Sequence, residues 1–489
     1  MVKTLLCLVF LGAALEGPAA AQIDLPPPRL PPLPILTPVP TAVTPALAVI
    51  PGDVPGVRLQ HNLDVLAWLE FIALNWPADP ASCSPRSDLT ILDGGRSPRV
   101  WETWKTDGAV FAPDQGTPAP WCRRSLASES MMGLPGTWRD SFSARLAEAL
   151  GDRALYALSA FSSDPLAVIQ QAFGGPLVDQ GGRFIRYEER LNQDEFDFIV
   201  SNGLWSKAGQ TRWLASHAID MPSGDTTRTG AIEVKAAWKV LSAAELAGGR
   251  FYAIKAVIST GQDSAGRPIT AVADMGLVGF HITHKSRSSP QWTWATFEHV
   301  DNLTSSLRKA GCQARVGCTA AASFYCPTGC CPDNCQTTTC IDGTCDELTA
   351  SGRPAHLPVQ VGRVQDVARM SPPDRDAPAI NQAFQRLLAG SVWANYQLIG
   401  MQWPAHPASA GGDPAPPFLA NVALETYNQG TSAEGSDGAV AYPSSAYSPF
   451  SAAVSSSCLK CHDQAVTSGL DRSGHPARAD FSFLLHKAR

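Results

Sequence analysis

The chain has 489 residues, 44% of them hydrophobic and 17% charged, with a formal net charge of −6. That balance excludes a highly charged disordered chain and a basic nucleic-acid-binding surface, so no nucleic-acid partner is expected. The 40 Pro and 40 Gly imply much loop, and 13 Cys are more usual in an oxidising compartment than in the cytosol.

Lys3 opens the chain with a positive charge, Leu5 to Leu15 form an apolar run too short to span a bilayer, and Ala19 to Ala21 provide a small-residue cleavage site before Gln22. Residues 1–21 read as a secretory signal peptide, which implies a periplasmic or secreted protein with no stable membrane insertion after cleavage. Residues 22–57 are proline-rich and extended, either a spacer or a strap over the surface.

Residues 58–311 read as a body of mixed helix and antiparallel sheet, fold class α+β. Asn62 is placed to cap a helix that runs through Leu63, Leu66, Leu69 and Ile72 and ends before Pro77. Further helical stretches are expected at Ser141–Leu150 and Pro165–Phe173. Arg183–Leu191 reads as a strand and Gln193–Trp205 as a helix. The acid pairs Glu188–Glu189 and Asp194–Glu195 read as solvated carboxylates. Ala231–Leu241, Arg250–Ser259 and Ala271–Lys285 have strand character, and Gln291–Val300 completes a hairpin across a turn at Ser286–Pro290.

Residues 312–345 hold Cys312, Cys318, Cys326, Cys330, Cys331, Cys335, Cys340 and Cys345 among few apolar residues. In an exported chain this is a disulfide-stapled insertion rather than a zinc or iron–sulfur site, because paired C-x-x-C spacings are absent. Cys83 and Cys122 are left to close a loop of their own.

Residues 346–489 complete the body. An apolar helix is expected over Asn381–Met401. Cys458-Leu459-Lys460-Cys461-His462 is a C-x-x-C-H sequence, the attachment signature of c-type haem. Two thiols on one helical turn reach the two porphyrin vinyl groups, and the histidine that follows lies under the iron. One covalent haem c is expected, held by Cys458 and Cys461, with His462 as proximal iron ligand. Residues 463–489 contain no methionine, so a distal ligand is either a histidine of that tail or comes from the body upstream. The candidates are His281, His284, His299, Met401 and His475, with His406 and His486 behind them. On the hairpin, a turn at 286–290 sets His284 beside Trp292 and His281 beside Ala295, on opposite faces of a regular strand. His299 then shares the face of His281 but lies roughly 13 Å along the strand. No zinc-protease helix, nucleophile elbow or phosphate-binding loop is present.

The segments FIALNWP, VWETWK, GFHITHKS, WTWATFEHVDN, ANYQLIGMQWP, LANVALETY and CLKCH together resemble a group of large exported bacterial proteins described as cytochrome c family proteins. The resemblance implies a single c-type haem and an extracytoplasmic site, and it carries no reaction. Three functions are compatible with the motif: electron transfer to a redox partner protein, haem-dependent oxidation of a small-molecule substrate at an open distal site (a peroxidase- or oxidase-like oxidoreductase), and a haem sensor or binding module.

Overall fold

The computed structural model describes residues 36–54, 59–95, 97–111, 116–122, 179, 183, 185–265, 267–302, 323–324, 377–409, 411–417, 419, 421–424 and 457–489. The expected signal peptide, the helical stretches expected at 141–150 and 165–173, and the eight cysteines of 312–345 lie outside the described residues.

Helix α1 (Gln60–Leu74) is the first large element, and it is buried on nearly every side. Its N-cap is Leu59, not Asn62. Asn62 sits inside the first turn, where its Oδ1 accepts from the Thr37 amide at 2.6 Å. That bond ties α1 to the proline-rich segment, whose residues Val39, Val43, Leu47 and Ile50 pack against the same core. Residues 36–54 are therefore a strap over the body. A short hairpin of β1 (Ala78–Asp79) and β2 (Ser84–Pro85) follows, and Cys83 beside it is bonded to Cys122 as expected.

The body is an antiparallel sheet, and the fold class is α+β. Its strands are β3 (Lys105–Thr106), β4 (Arg186–Leu191), β5 (Ile232–Val240), β6 (Ala253–Gln262), β7 (Pro268–Ser286), β8 (Ser289–His299), β9 (Tyr396–Pro404) and β10 (Pro414–Ala415). They lie in the order β10-β9-β8-β7-β5-β4-β3, with β6 paired to the first half of β7. Between them run α2 (Asp107–Val110), α3 (Gln193–Ser201), α4 (Lys207–Leu214), α5 (Ala243–Gly248) and α6 (Ala377–Leu387). The C-terminal part adds α7 (Cys458–His462) and a small hairpin of β11 (Val466–Leu470) and β12 (Pro476–Arg478). Among the described residues no helix is long and apolar enough to cross a membrane.

Two expectations change here. The hairpin of β7 and β8 turns through Arg287 and Ser288 alone, and the register shifts between His284 and Ser286. His281 therefore faces Thr296 and His284 faces Thr293, one residue from the expected partners. Met401 is on strand β9, not on a helix: α6 stops at Leu387, Gly390 takes a left-handed φ of 85°, and the chain enters the sheet at Tyr396.

The sheet separates two cores. Phe280 and Ile282 of β7, with Ala295 and Phe297 of β8, face α1 and α6. There Phe71 stacks on Phe297 with centroids 4.4 Å apart, and Trp68 stacks on Phe384 at 5.1 Å. Trp292 and Trp294 face the other way and meet Phe196 and Ile199 of α3, Leu459 of α7 and Leu484 near the C-terminus. Side-chain alternation on the strands explains the division.

Candidate functional site

The C-x-x-C-H residues form α7 on the second face of the sheet. Ser457 caps the helix, its hydroxyl accepting from the Lys460 amide at 3.3 Å. Gln402 of β9, directly opposite Trp294 in the register, anchors the same turn. Its Oε1 accepts from the Leu459 amide at 2.8 Å and from the Ser457 hydroxyl at 3.1 Å. Its Nε2 donates to the Pro416 carbonyl at 2.7 Å, so the side chain is satisfied at both ends while fully buried. Leu459 points into the core, which leaves Cys458 and Cys461 half-buried and both as thiols.

His462 is held on three sides. Its Nδ1 donates to the Phe481 carbonyl at 2.8 Å. A carbonyl only accepts, so Nδ1 carries the proton and, in the neutral imidazole, Nε2 carries the lone pair that a metal takes. Trp294 lies 4.2 Å from the ring centre and Phe483 lies 5.0 Å away. The donor set, two thiols and an oriented imidazole on one turn, fits a covalent haem c. Among the described residues, no group of three or more His, Cys, Asp or Glu side chains is arranged to hold a metal ion.

The carbonyl that positions His462 belongs to an unusual stretch. Asp480 and Phe481 have left-handed φ angles of 52° and 68°. Asp480 is fixed by Lys285 of β7 at 2.6 Å and by the Met221 amide at 2.7 Å. Burial outweighs Lys285 and pushes its carboxyl up to about 6. Further along, buried Lys487 binds Asp107 at 2.7 Å and also Glu189. Burial works against charge on Glu189, but Lys487 and Lys235 outweigh it and hold the carboxyl down to about 2. These two lysine clamps lock the C-terminal segment beneath the motif.

The expected distal candidates are dispersed. His284 lies on the α1 face with both ring nitrogens engaged, one by Glu70 at 2.6 Å and one by the Thr229 carbonyl at 2.6 Å. His299 also uses both, accepting from the Asp301 amide and donating to the Arg250 carbonyl, each at 3.1 Å. Met401 is fully buried in the first core. His475 is exposed at the β11–β12 turn and His406 pairs with Asp413 at 3.1 Å on the surface. His281, half-buried on β7, shares the face of Thr296, Trp294 and the motif.

Gln402, Phe481 and Trp294 were not singled out from the sequence. Gln402, a polar residue between Met401 and Trp403 in the apolar segment ANYQLIGMQWP, is the local signal that existed. The acid pairs are also corrected: Glu188 is 1% exposed and Glu195 is 0% exposed, so neither is solvated. Glu188 binds Arg190 and Trp238, which explains its burial.

Comparison with known proteins finds no family model, no curated protein and no solved structure that matches this chain.

Proposed function

We propose that the chain is an exported c-type cytochrome that carries one covalent haem and passes single electrons between redox partner proteins. The observation that carries this reading is the preorganised motif, in which two thiols and an imidazole share one turn and the Phe481 carbonyl sets the tautomer of His462. The haem, when bound, supplies a one-electron couple. Cys458 and Cys461 would hold it through thioethers and His462 would ligate its iron, while Gln402 keeps the turn in place. Trp294 and Phe483 restrain the imidazole and exclude water from its sides. The Cys83–Cys122 bond is compatible with a periplasmic or secreted site, in line with the signal-like residues 1–21. Among the strand residues, His281 is the favoured distal ligand, because it shares the motif's face of the sheet, whereas His284, His299 and Met401 lie on the other face.

The test is the holoprotein's haem content and spectrum. Mass spectrometry of the denatured wild type is expected to show one bound haem, and Cys458→Ala with Cys461→Ala is expected to show none. A covalent haem that survives both substitutions overturns the attachment reading. Optical and EPR spectra are expected to show six-coordinate, low-spin iron that ignores cyanide and peroxide, turning high-spin in His281→Ala. High-spin iron that binds both ligands in the wild type would replace electron transfer with a haem-dependent oxidoreductase acting on a small substrate.

A further inference from the structure

Two acidic side chains meet in the interior behind the C-terminal segment. Glu195 of α3 is fully buried, and neither carboxylate oxygen has a hydrogen-bond donor among the described residues. Asn192 Oδ1 accepts from the amides of both Glu195 and Ile232, which brings the Glu195 carboxyl against that of Glu233 on β5, whose Oε1 is sealed from water although the residue is only half-buried. Ionised carboxylates only accept, so such a contact needs a proton between them. The neighbouring charges offer little compensation. Asp480 adds a further negative charge on the Glu195 side, and Glu189 adds one on the Glu233 side. Lys487 is close to Glu233 but is committed to Asp107 and Glu189, while Lys285 is committed to Asp220 and Asp480. Burial and the Glu233 charge together hold Glu195 well above the usual carboxylate range. Burial also lifts Glu233 to about 7, against the hydrogen bonds from Ser482 and Glu195.

The pair is connected to the motif by the chain itself. Ser482 lies against Glu233, and the residue before it, Phe481, accepts from His462. Asp480 and Phe481 have left-handed backbone and are held by Lys285, the Met221 amide and His462. One strained stretch of four residues thus touches the proximal histidine twice and the carboxyl pair once.

We propose that Glu195 and Glu233 form a redox-linked proton site, which holds one proton at rest and binds a second, drawn from solvent, on one-electron reduction of the protein. The inference rests on the haem reading above. The electron would come from a reduced partner protein and reside on the haem that Cys458, Cys461 and His462 would hold. The proton goes from water to a carboxylate oxygen, no other bond forms or breaks, and reoxidation reverses both. Reduction removes one positive charge from the interior, so Coulomb attraction no longer opposes protonation of the pair. Glu233, the half-buried member, is the point of proton entry.

Potentiometric titration of the holoprotein over a range of pH tests this. The midpoint potential is expected to fall as pH rises near neutrality, by up to about 59 mV for each tenfold drop in proton activity. Glu195→Gln and Glu233→Gln are each expected to remove most of that slope, with the low-spin spectrum retained. A wild-type potential independent of pH, or an unchanged slope in both variants, overturns the proposal. Infrared spectroscopy gives a second readout that needs no variant to bind haem: the wild type is expected to show the carbonyl band of a buried protonated carboxylic acid, and Glu195→Gln to lose it. Absence of that band overturns the shared proton. A chain without covalent haem overturns this proposal and the electron-transfer reading together, whereas a haem protein with a flat potential overturns only this one.

Discussion

Gln402 and Asp480 each do at residue scale what no local pattern announces. Gln402 is fully buried and serves Leu459, Ser457 and Pro416 at once. Gln402→Leu leaves the Leu459 amide and Ser457 hydroxyl without that acceptor, at a cost of about 1–3 kcal/mol for a buried unsatisfied group. Chemical denaturation should show that loss together with a lower haem content, and unchanged stability would mean that water replaces the amide. Asp480 is one of two acceptors for Lys285, which is 3% exposed, and the other, Asp220, is 86% exposed. Asp480→Ala is expected to cost about 3 kcal/mol, the lower end for breaking a buried pair. A loss near zero would show that Asp220 alone compensates Lys285.

At the scale of elements, much of the layout is legible in the sequence. Helix α1, the strands β4 to β8 and the helix that starts at Gln193 follow from apolar periodicity, but the caps do not: the expected Asn62 lies inside α1, and it is Asn192 that caps the second helix, accepting from the Glu195 amide at 3.2 Å. The register of the β7–β8 hairpin does not follow, because a two-residue turn and a bulge shift it by one position and no local signal marks the bulge. Met401 lies on a strand rather than the expected helix for a related reason: a short apolar run after Gly390 fits a buried strand as well as a buried helix. The bond from Cys83 to Cys122 spans 39 residues and staples the β1–β2 hairpin to the segment at 116–122. Replacing both cysteines by Ser is expected to lower stability by about 3–4 kcal/mol through the freed loop entropy. Thermal melts with and without reductant check this. A wild type indifferent to reductant, with the bond shown to be cleaved, would count against it.

For the whole molecule, the buried acids set a pH profile. Burial raises Glu70, Glu195, Glu233 and Asp480, so the folded chain binds more protons than the unfolded one. Burial opposes charge on His284 too, but Glu70 and the Thr229 carbonyl outweigh it and raise its pKa. The contribution of these groups is present below their unfolded values and is lost as pH rises, through about 6 for Asp480 and about 7 for Glu233. His299 and Glu189 run the opposite way. Their contribution is present above the unfolded values and is lost as pH falls, through about 4 for His299, lowered by burial, and about 2 for Glu189. Stability should therefore peak in mildly acidic solution and decline from about pH 5 to about pH 8, and the double substitution Glu195→Gln, Glu233→Gln should flatten that decline. Melting temperatures across this range that rise toward alkaline pH would contradict the assignment of these acids.

What the sequence by itself determined are the features written in consecutive residues: the C-x-x-C-H turn, the alternation of the strands and the apolar run of α1. These are set by local geometry, three positions from one thiol to the next and two per strand repeat, so spacing alone reveals them. Only the tertiary structure decided which face of the sheet the motif occupies, which carbonyl orients His462, and that Glu195 meets Glu233 in the interior rather than water. Those outcomes join residues far apart in the chain, and they depend on a register that a single bulge can change.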